Sequence, residues 1–273
     1  MLPQNDMKRT LLPLFVIAAA IGLSAPVANA VVLDLLTDNQ SGNINGAHFT
    51  NVNVQSTGSG ILNPFVRLSN SGNNTSSEGY NADARPVMAD VNTSGTFTHD
   101  IRLSTIGISV NPGSLTGSYY GFLLDINQQG SNPLLSLDRL QIFTSSTALS
   151  SAATYADLTS GATLRWDMDV GPDGNSTVHL NYNLNTGSGS GDMFVYIPVS
   201  FFAGAAPNDF LYLYSQFGAE GGVYSDNDGF QEWAGYQEVN GQTVPDGGSA
   251  IALLGVALVA VEGLRRKIKA IVS

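Results

Sequence analysis

The stretch LRWDMDVGPDGNSTVHLNYN, residues 164–183, shows most clearly which fold the chain adopts. Apolar and polar side chains alternate on both sides of a turn-forming segment, and this two-residue period is typical of half-buried β-strands. Folding the stretch around residues 171–175 sets apolar residues opposite one another: Met168 with Val178, Trp166 with Leu180, and Leu164 with Tyr182. The sequence therefore predicts a β-hairpin with a well-specified register.

The same short apolar runs continue through residues 31–235, separated by clusters of Gly, Asn, Ser and Pro. No long apolar stripe with a helical period is present, which favours an all-β sandwich or barrel. We expect a jelly-roll-like β-sandwich ectodomain over residues 31–235. In one of its strands, four alternating residues share an inner face: Tyr120, Phe122, Leu124 and Ile126.

Other runs predict the remaining elements of this domain. Those richest in apolar residues are predicted to be central strands, at residues 135–143, 193–199 and 210–214. Within residues 97–110 the apolar positions change from odd to even, which predicts a β-bulge near Ser104. Segments rich in Gly, Ser, Asn and Thr predict loops at residues 40–60, 70–77 and 185–191.

Composition excludes several classes of function. The 273 residues contain no Cys, which excludes a disulfide scaffold, a Cys-ligated zinc site, an iron–sulfur cluster and a thiol nucleophile. The net charge is −11, and residues 31–244 hold 19 acidic residues, five Arg and no Lys. Binding to phosphate backbones requires clustered basic residues, so we expect no nucleic-acid partner.

The N-terminus has the three parts of a secretory signal. Lys8 and Arg9 are followed by an apolar run at residues 11–23 and by small residues that end in Ala28-Asn29-Ala30. Small residues at positions 28 and 30, here Ala28 and Ala30, are typical of a signal-peptide cleavage site. Residues 1–30 are therefore predicted to be a signal peptide, handled by the Sec translocon and cut after Ala30. A retained membrane anchor is the alternative.

The C-terminus combines a turn motif, an apolar segment and a basic end. A stalk at residues 236–248 ends in the motif Val244-Pro245-Asp246-Gly247-Gly248, and the tail spans residues 249–273. As a helix, the apolar residues 249–264 would rise only about 24 Å against a hydrocarbon thickness of about 30 Å. The cluster Arg265-Arg266-Lys267 can extend this length and hold the end in the cytoplasm. The sequence thus predicts a transmembrane helix in the inner membrane.

This arrangement resembles the PEP-CTERM class of bacterial sorting signals, in particular its VPDSG variant. The motif, the apolar segment and the basic end occur in the same order, although Glu262 and residues 268–273 depart from the usual pattern. The resemblance implies an exported protein of a Gram-negative-type bacterium. It also implies brief anchoring in the inner membrane, removal of the tail by an exosortase-like enzyme, and release to the envelope, surface or extracellular matrix. An ordinary tail anchor is the alternative.

Several segments of the middle region resemble an ectodomain found in front of such tails. This resemblance covers roughly residues 100–235 and implies no activity. Its segments are residues 124–128, 135–138, 189–193, 196–198, 214–218 and 228–234.

The turn inside the opening stretch is a candidate calcium site. Asp167, Asp169, Asp173 and Asn175 place four oxygen-bearing side chains within nine residues. Ca²⁺ prefers several oxygen ligands, and bound cations relieve repulsion between carboxylates. Residues 225–229 form a second, shorter acidic turn. Ordinary turn formation is the alternative for both, because Asp, Asn and Gly are common turn residues.

Aromatic residues near the end of the domain form a candidate ligand surface. Tyr214 and Trp233 could stack on the sugar rings of a surface polysaccharide. Packing in the core is the alternative and the commoner use of such rings.

Nucleophilic catalysis has little support in the sequence. No Gly-x-Ser-x-Gly motif is present. Of the three His residues, His179 lies beside an acidic residue, Asp167, on the polar face of the predicted hairpin, so a His–Asp pair is a candidate there. The alternative to such a pair is that both residues lie on a strand face exposed to solvent. We therefore expect no catalytic residue and a structural or adhesive role. A Ca²⁺-dependent carbohydrate-binding module and a secreted hydrolase are the alternatives.

Overall fold

The computed structural model describes residues 30–51, 63–70, 74–187, 189, 191–227, 229–239 and 242–243. Its strands, in chain order, are β1 (Val32–Leu35), β2 (Ser41–Ile44), β3 (Ala47–Thr50), β4 (Pro64–Leu68), β5 (Ser77–Tyr80), β6 (Ile101–Arg102), β7 (Ser109–Val110), β8 (Ser118–Asp125), β9 (Leu134–Ser145), β10 (Thr163–Asp167), β11 (Thr177–Asn181), β12 (Met193–Pro198), β13 (Phe210–Phe217), β14 (Gln231–Tyr236), β15 (Glu238–Val239) and β16 (Gln242–Thr243). Two short α-helices accompany them, α1 (Leu103–Ile106) and α2 (Tyr155–Gly161), together with 3-10 helices at Tyr182–Leu184, Val199–Phe202 and Gly222–Tyr224.

These strands form two sheets, which confirms the all-β prediction. Sheet 1 has the order β1-β11-β9-β13-β5, with β10 also on β9 and β6 on β13. Sheet 2 has the order β16-β15-β7-β8-β12-β3-β2, with β14 between β8 and β4. The three predicted central strands correspond to β9, β12 and β13, each of which pairs along both edges.

One apolar core lies between the sheets. Its buried side chains include the four residues predicted to share an inner face of β8 and the inward-facing aliphatic residues of β9, β11, β12 and β13. Trp233 of β14 donates its Nε1–H to Ser215 Oγ of β13 at 3.1 Å, which joins the two sheets through the core. The pairs β1–β11 and β15–β7 are parallel, a departure from the all-antiparallel jelly roll.

The predicted hairpin at residues 164–183 does not form. β10 and β11 both run antiparallel to β9 along the same edge, with Leu164 opposite Phe143 and Leu180 opposite Leu135. The chain leaves β9 after Met168 and returns to it at Val178. Trp166, Met168, Val178 and Leu180 face the core as predicted, whereas Leu164 is 44% exposed beyond a register shift between Leu164 and Trp166. The predicted partner was wrong, because alternation specifies which face is buried and not which strand lies beside it.

Two further predictions are corrected by local structure. Residues 40–60 were predicted as a loop, yet β2 and β3 form a hairpin whose turn residues Asn45 and Gly46 have φ of 45° and 82°. Asn-Gly turns of this kind are strongly favoured between paired strands. The expected bulge near Ser104 is instead the helical turn α1, which follows β6 and precedes β7 in the chain. The side chains of Leu103 and Ile106 in this turn are buried.

The outer face of sheet 1 is covered by α2. The helix begins with a reciprocal cap in which Thr154 and Asp157 bond each other's backbone N–H groups. Leu158 of this helix packs in a second cluster with Tyr80, Tyr212 and Tyr214. Among the residues described, no helix has the length and hydrophobicity that crossing a membrane requires.

Candidate functional site

The residues predicted for sorting lie almost entirely outside the described residues. This applies to Ala28 of the signal site, to the motif Val244–Gly248, to the apolar tail and to the basic cluster Arg265–Lys267. Ala30 is the first described residue and is exposed.

The carboxylates of the predicted calcium turn bond to backbone amides and to one side-chain amide. Asp167 Oδ1 accepts the N–H of Asp169 at 2.8 Å, and its Oδ2 accepts the amide of Gln141 at 2.6 Å. Asp169 Oδ1 accepts the N–H of Ser176 at 3.0 Å, while Asn175 is exposed. These contacts are typical of acidic turns.

The turn between β2 and β3 is attached to this same loop. Asp173 Oδ2 accepts the N–H of Asn45 at 2.6 Å, and Asn45 Oδ1 accepts the N–H of Asp173 at 3.1 Å. Asn45 also donates to the carbonyl of Met168 and accepts from the indole of Trp166. Asp173 therefore fastens sheet 2 to the loop of sheet 1. Over the residues that the structure describes, no group of three or more His, Asp or Glu is arranged to hold a metal ion, and calcium binding here stays a prediction.

The two aromatic residues predicted to stack on sugars lie in the interior. Trp233 has no exposed surface, and Tyr214 is 1% exposed. The Tyr214 hydroxyl donates to Glu78 Oε2 at 2.5 Å, and its ring packs on Tyr155 under α2. Neither ring has a face free for a ligand, because one fills the central core and the other lies beneath the helix.

His179 does not pair with Asp167, and it is not on a solvated face. The ring is 6% exposed and stacks on Tyr224 with a centroid separation of 3.8 Å. Its Nδ1 lies 2.6 Å from Asp34 Oδ1, and its Nε2 lies 2.7 Å from Glu220 Oε2. With both nitrogens engaged, this His connects β1, β11 and the turn after β13.

Three of the ectodomain-like segments meet at one end of the sandwich. The N–H of Ile126 donates to Asp192 Oδ2 at 2.7 Å, and that of Gly189 donates to Asp125 Oδ2 at 2.5 Å. The N–H of Asn127 donates to Gln231 Oε1 at 3.2 Å. Segments 124–128, 189–193 and 228–234 are thus held together by side chain to backbone bonds.

Asp226 ties the same end of the domain to β5. Its Oδ2 accepts the hydroxyl of Ser77 at 2.5 Å, and its Oδ1 accepts the amides of Gln231 and Gln128. Burial raises the pKa of this carboxyl, and the three hydrogen bonds oppose the rise.

A row of charged residues crosses the outer face of sheet 2 beside these segments. The register places Glu232 of β14 opposite Asp125 of β8 on one side and opposite Arg67 of β4 on the other. Arg67 Nε bonds Glu232 Oε1 at 2.6 Å, and its guanidinium lies over the rings of Phe97 and Phe230. Asp125 and Glu232 are 0% and 4% exposed, so this row is buried although it faces away from the core.

Asp192 joins this row from the strand on the other side of β8. It lies directly before β12, where its N–H donates to the carbonyl of Leu124 at 2.7 Å. Burial raises the pKa of Asp125 to about 6, with a further rise from Glu232. Burial also raises the pKa of Asp192 well above its usual range, and the charge of Asp125 adds to that rise. We refer to Asp125 and Asp192 as the buried acid pair.

Sequence reasoning did not single out the buried acid pair. Both residues lie in ectodomain-like segments, and Asp125 interrupts the apolar run from Tyr120 to Ile126. A carboxylate inside a run that is buried on both faces is the signal that could have indicated them.

The comparisons with known proteins agree with the C-terminal prediction. Residues 243–268 match the family described as the VPDSG-CTERM motif. No match is found among curated proteins or among solved structures. Such a tail implies export, processing by an exosortase-like enzyme, and brief membrane anchoring before the protein reaches the cell envelope. Residues 243–268 therefore form a VPDSG-CTERM sorting motif of the PEP-CTERM type.

Proposed function

We propose that the β-sandwich is the cargo of this sorting tail and acts as a structural or adhesive component at the cell surface or in the extracellular matrix. The observation that carries the proposal is the junction between the two parts. β16 ends at Thr243, where the segment that matches the VPDSG-CTERM family begins, and the sorting motif starts at the next residue, Val244. The folded sheet thus leads directly into the segment that the processing enzyme recognises.

The order of the parts supports this role. The short strand β15 pairs with β7, and β16 pairs with β15, so strands of sheet 2 extend to Thr243, the residue before the motif. Cleavage near Pro245–Gly248 would separate the tail without removing any strand of the described core. A protein sorted in this way would retain its two-sheet fold after release.

Intact mass spectrometry of the cell-surface form tests the proposal. We expect a mass that corresponds to loss of residues 1–30 and of the chain beyond the sorting motif. A strain without the exosortase-like enzyme is the control, and there the tail should be retained in the membrane fraction. A surface form that still contains residues 251–273 would contradict processing.

The adhesive part of the role has its own measurement. We propose a surface polysaccharide as the partner, and a glycan array probed with the processed protein tests it. If the array shows no binding while the protein remains in the matrix fraction, the role is structural.

A further inference from the structure

The charges around the buried acid pair do not balance. Three carboxylates lie in the row, those of Asp125, Asp192 and Glu232, and Arg67 is the cation that the structure places beside them. Its Nε is committed to Glu232 at 2.6 Å. When all of these groups are ionised, the row carries a net charge of −2, and both uncompensated charges belong to the acid pair.

Each acid of the pair also has one oxygen without a partner. Asp125 Oδ2 accepts from Gly189 and Asp192 Oδ2 accepts from Ile126. The Oδ1 atoms of both residues are buried, and neither has a hydrogen-bond partner among the residues that the structure describes. The side chains are 0% and 8% exposed, so water does not replace the missing partners from bulk solvent. Buried polar atoms without partners are uncommon, and each requires a physical explanation.

We propose that Asp125 and Asp192 bind a Ca²⁺ ion through these two Oδ1 atoms. A divalent cation cancels the net charge of the row and supplies the missing partner of both oxygens at once. Ca²⁺ is the ion of choice because it accepts flexible oxygen coordination that combines carboxylates with backbone carbonyls and water. Mg²⁺ requires a nearly regular octahedron and gives up its water less easily. This site is distinct from the predicted turn at residues 167–175, where Asp167 accepts hydrogen bonds on both carboxylate oxygens and no buried carboxylate oxygen lacks a partner among the described residues.

The position of the site gives it a structural consequence. The pair connects the end of β8, the turn that contains Gly189, and the start of β12. An ion held between them would fix the loop before β12 against sheet 2. Calcium would then stabilise the exported domain, and its removal would loosen this end.

Thermal unfolding of the full-length chain at neutral pH, in EDTA and in millimolar CaCl₂, tests the site. If the calcium concentration is about a hundredfold above Kd, we expect the melting temperature to rise by roughly 5 °C or more. The double variant Asp125→Asn with Asp192→Asn should lose this rise. Asp38→Asn, at an exposed position, is the matched control and should retain it.

A count of bound ions gives a readout that does not depend on how well a variant folds. Native mass spectrometry or calorimetry of the unmodified chain should show one tightly bound Ca²⁺ per molecule. Absence of binding overturns the proposal and leaves protons to neutralise the pair. A calcium response that survives in the double variant but disappears in Asp167→Asn with Asp169→Asn also overturns it, and assigns the ion to the turn.

Discussion

Asp125 shows how the environment of one residue changes its chemistry. In β8 it follows Leu124, which faces the core, so the strand alternation turns Asp125 to the outer face. Gly189 donates its N–H to the carboxyl on that face, and Asp125 has no exposed surface. Asp is normally exposed on a strand, yet the carboxyl of Asp125 is enclosed here beside Glu232.

The pH dependence of stability follows from this burial. Burial raises the pKa of Asp125 to about 6, whereas in an unfolded chain the carboxyl titrates near pH 4. Between these values the folded protein holds a proton that the unfolded chain has released. The contribution of Asp125 to stability is therefore fully present below about pH 4 and is lost as the pH rises through about 6.

We expect the free energy of unfolding in EDTA to fall by up to about 3 kcal/mol over this interval through Asp125. Urea unfolding from about pH 4 to pH 7 measures it. The Asp125→Asn variant should show a flatter profile, and Asp38→Asn should behave like the unmodified protein. A profile that is unchanged in Asp125→Asn would contradict this assignment.

At the scale of elements, the β2–β3 hairpin has a role that its length does not suggest. Its turn residue Asn45 bonds Met168, Asp173 and the indole of Trp166, all of which belong to the segment that leaves β9. The following Gly46 adopts φ of 82°, where a Cβ would meet the ring of Phe201 at 3.2 Å. The turn must keep this conformation for Asn45 to reach its three partners.

Substitution of Gly46 by Ala should therefore destabilise the domain by about 1–2 kcal/mol, the typical cost of a left-handed conformation for a residue with a Cβ. Chemical unfolding at constant pH measures the change. Gly95→Ala is the matched control, because a Cβ there meets no atom within 4 Å, and it should change stability by less than about 0.5 kcal/mol. Equal effects in the two variants would argue against a strained turn.

The loop between β10 and β11 is the second informative element. Strand β9 has 12 residues, and its edge away from β13 takes β10 along one part and β11 along another. Trp166 and Met168, followed by Val178 and Leu180, therefore line the core as two segments of one interrupted strand. The acidic turn between them is positioned by Asn45 and by its own backbone amides.

At the scale of the whole molecule, the two sheets are held together by large side chains at the centre of the core. Trp233 has no exposed surface, packs against Phe217 of the opposite sheet, and bonds Ser215. Trp233 therefore stabilises the packing of the two sheets against each other.

Replacement of Trp233 by Ala should lower the free energy of unfolding by about 3–5 kcal/mol, because it removes buried apolar surface and leaves a cavity. Denaturant titration followed by circular dichroism gives the value. Phe230→Ala is the control, since that ring is 39% exposed, and its effect should be clearly smaller. A Trp233→Ala variant of normal stability that lost ligand binding would instead restore the sugar-stacking hypothesis.

Much of the architecture could be predicted because it depends on local patterns. The period of two along β8 and along residues 166–180 reports which apolar side chains face the core. Tertiary structure altered it at Leu164, which is 44% exposed beyond a register shift in β10. The sorting tail was also predictable, since its recognition depends on a contiguous motif, an apolar segment and basic residues in fixed order. The Asn45-Gly46 dipeptide is a hairpin signal, although the overall composition of residues 40–60 is typical of a loop.

The sequence by itself thus determined an all-β domain without cysteine, its inner faces, and an exported route that ends in a VPDSG-CTERM tail. Only the tertiary structure decided that β10 and β11 share the edge of β9, and that Tyr214 and Trp233 are enclosed. It also decided that Asp125, Asp192, Glu232 and Arg67 lie together. The physical reason is that alternation and motifs act between neighbours in the chain, whereas strand partners and buried charges depend on contacts between residues far apart in the chain, 165 positions in the Arg67–Glu232 pair.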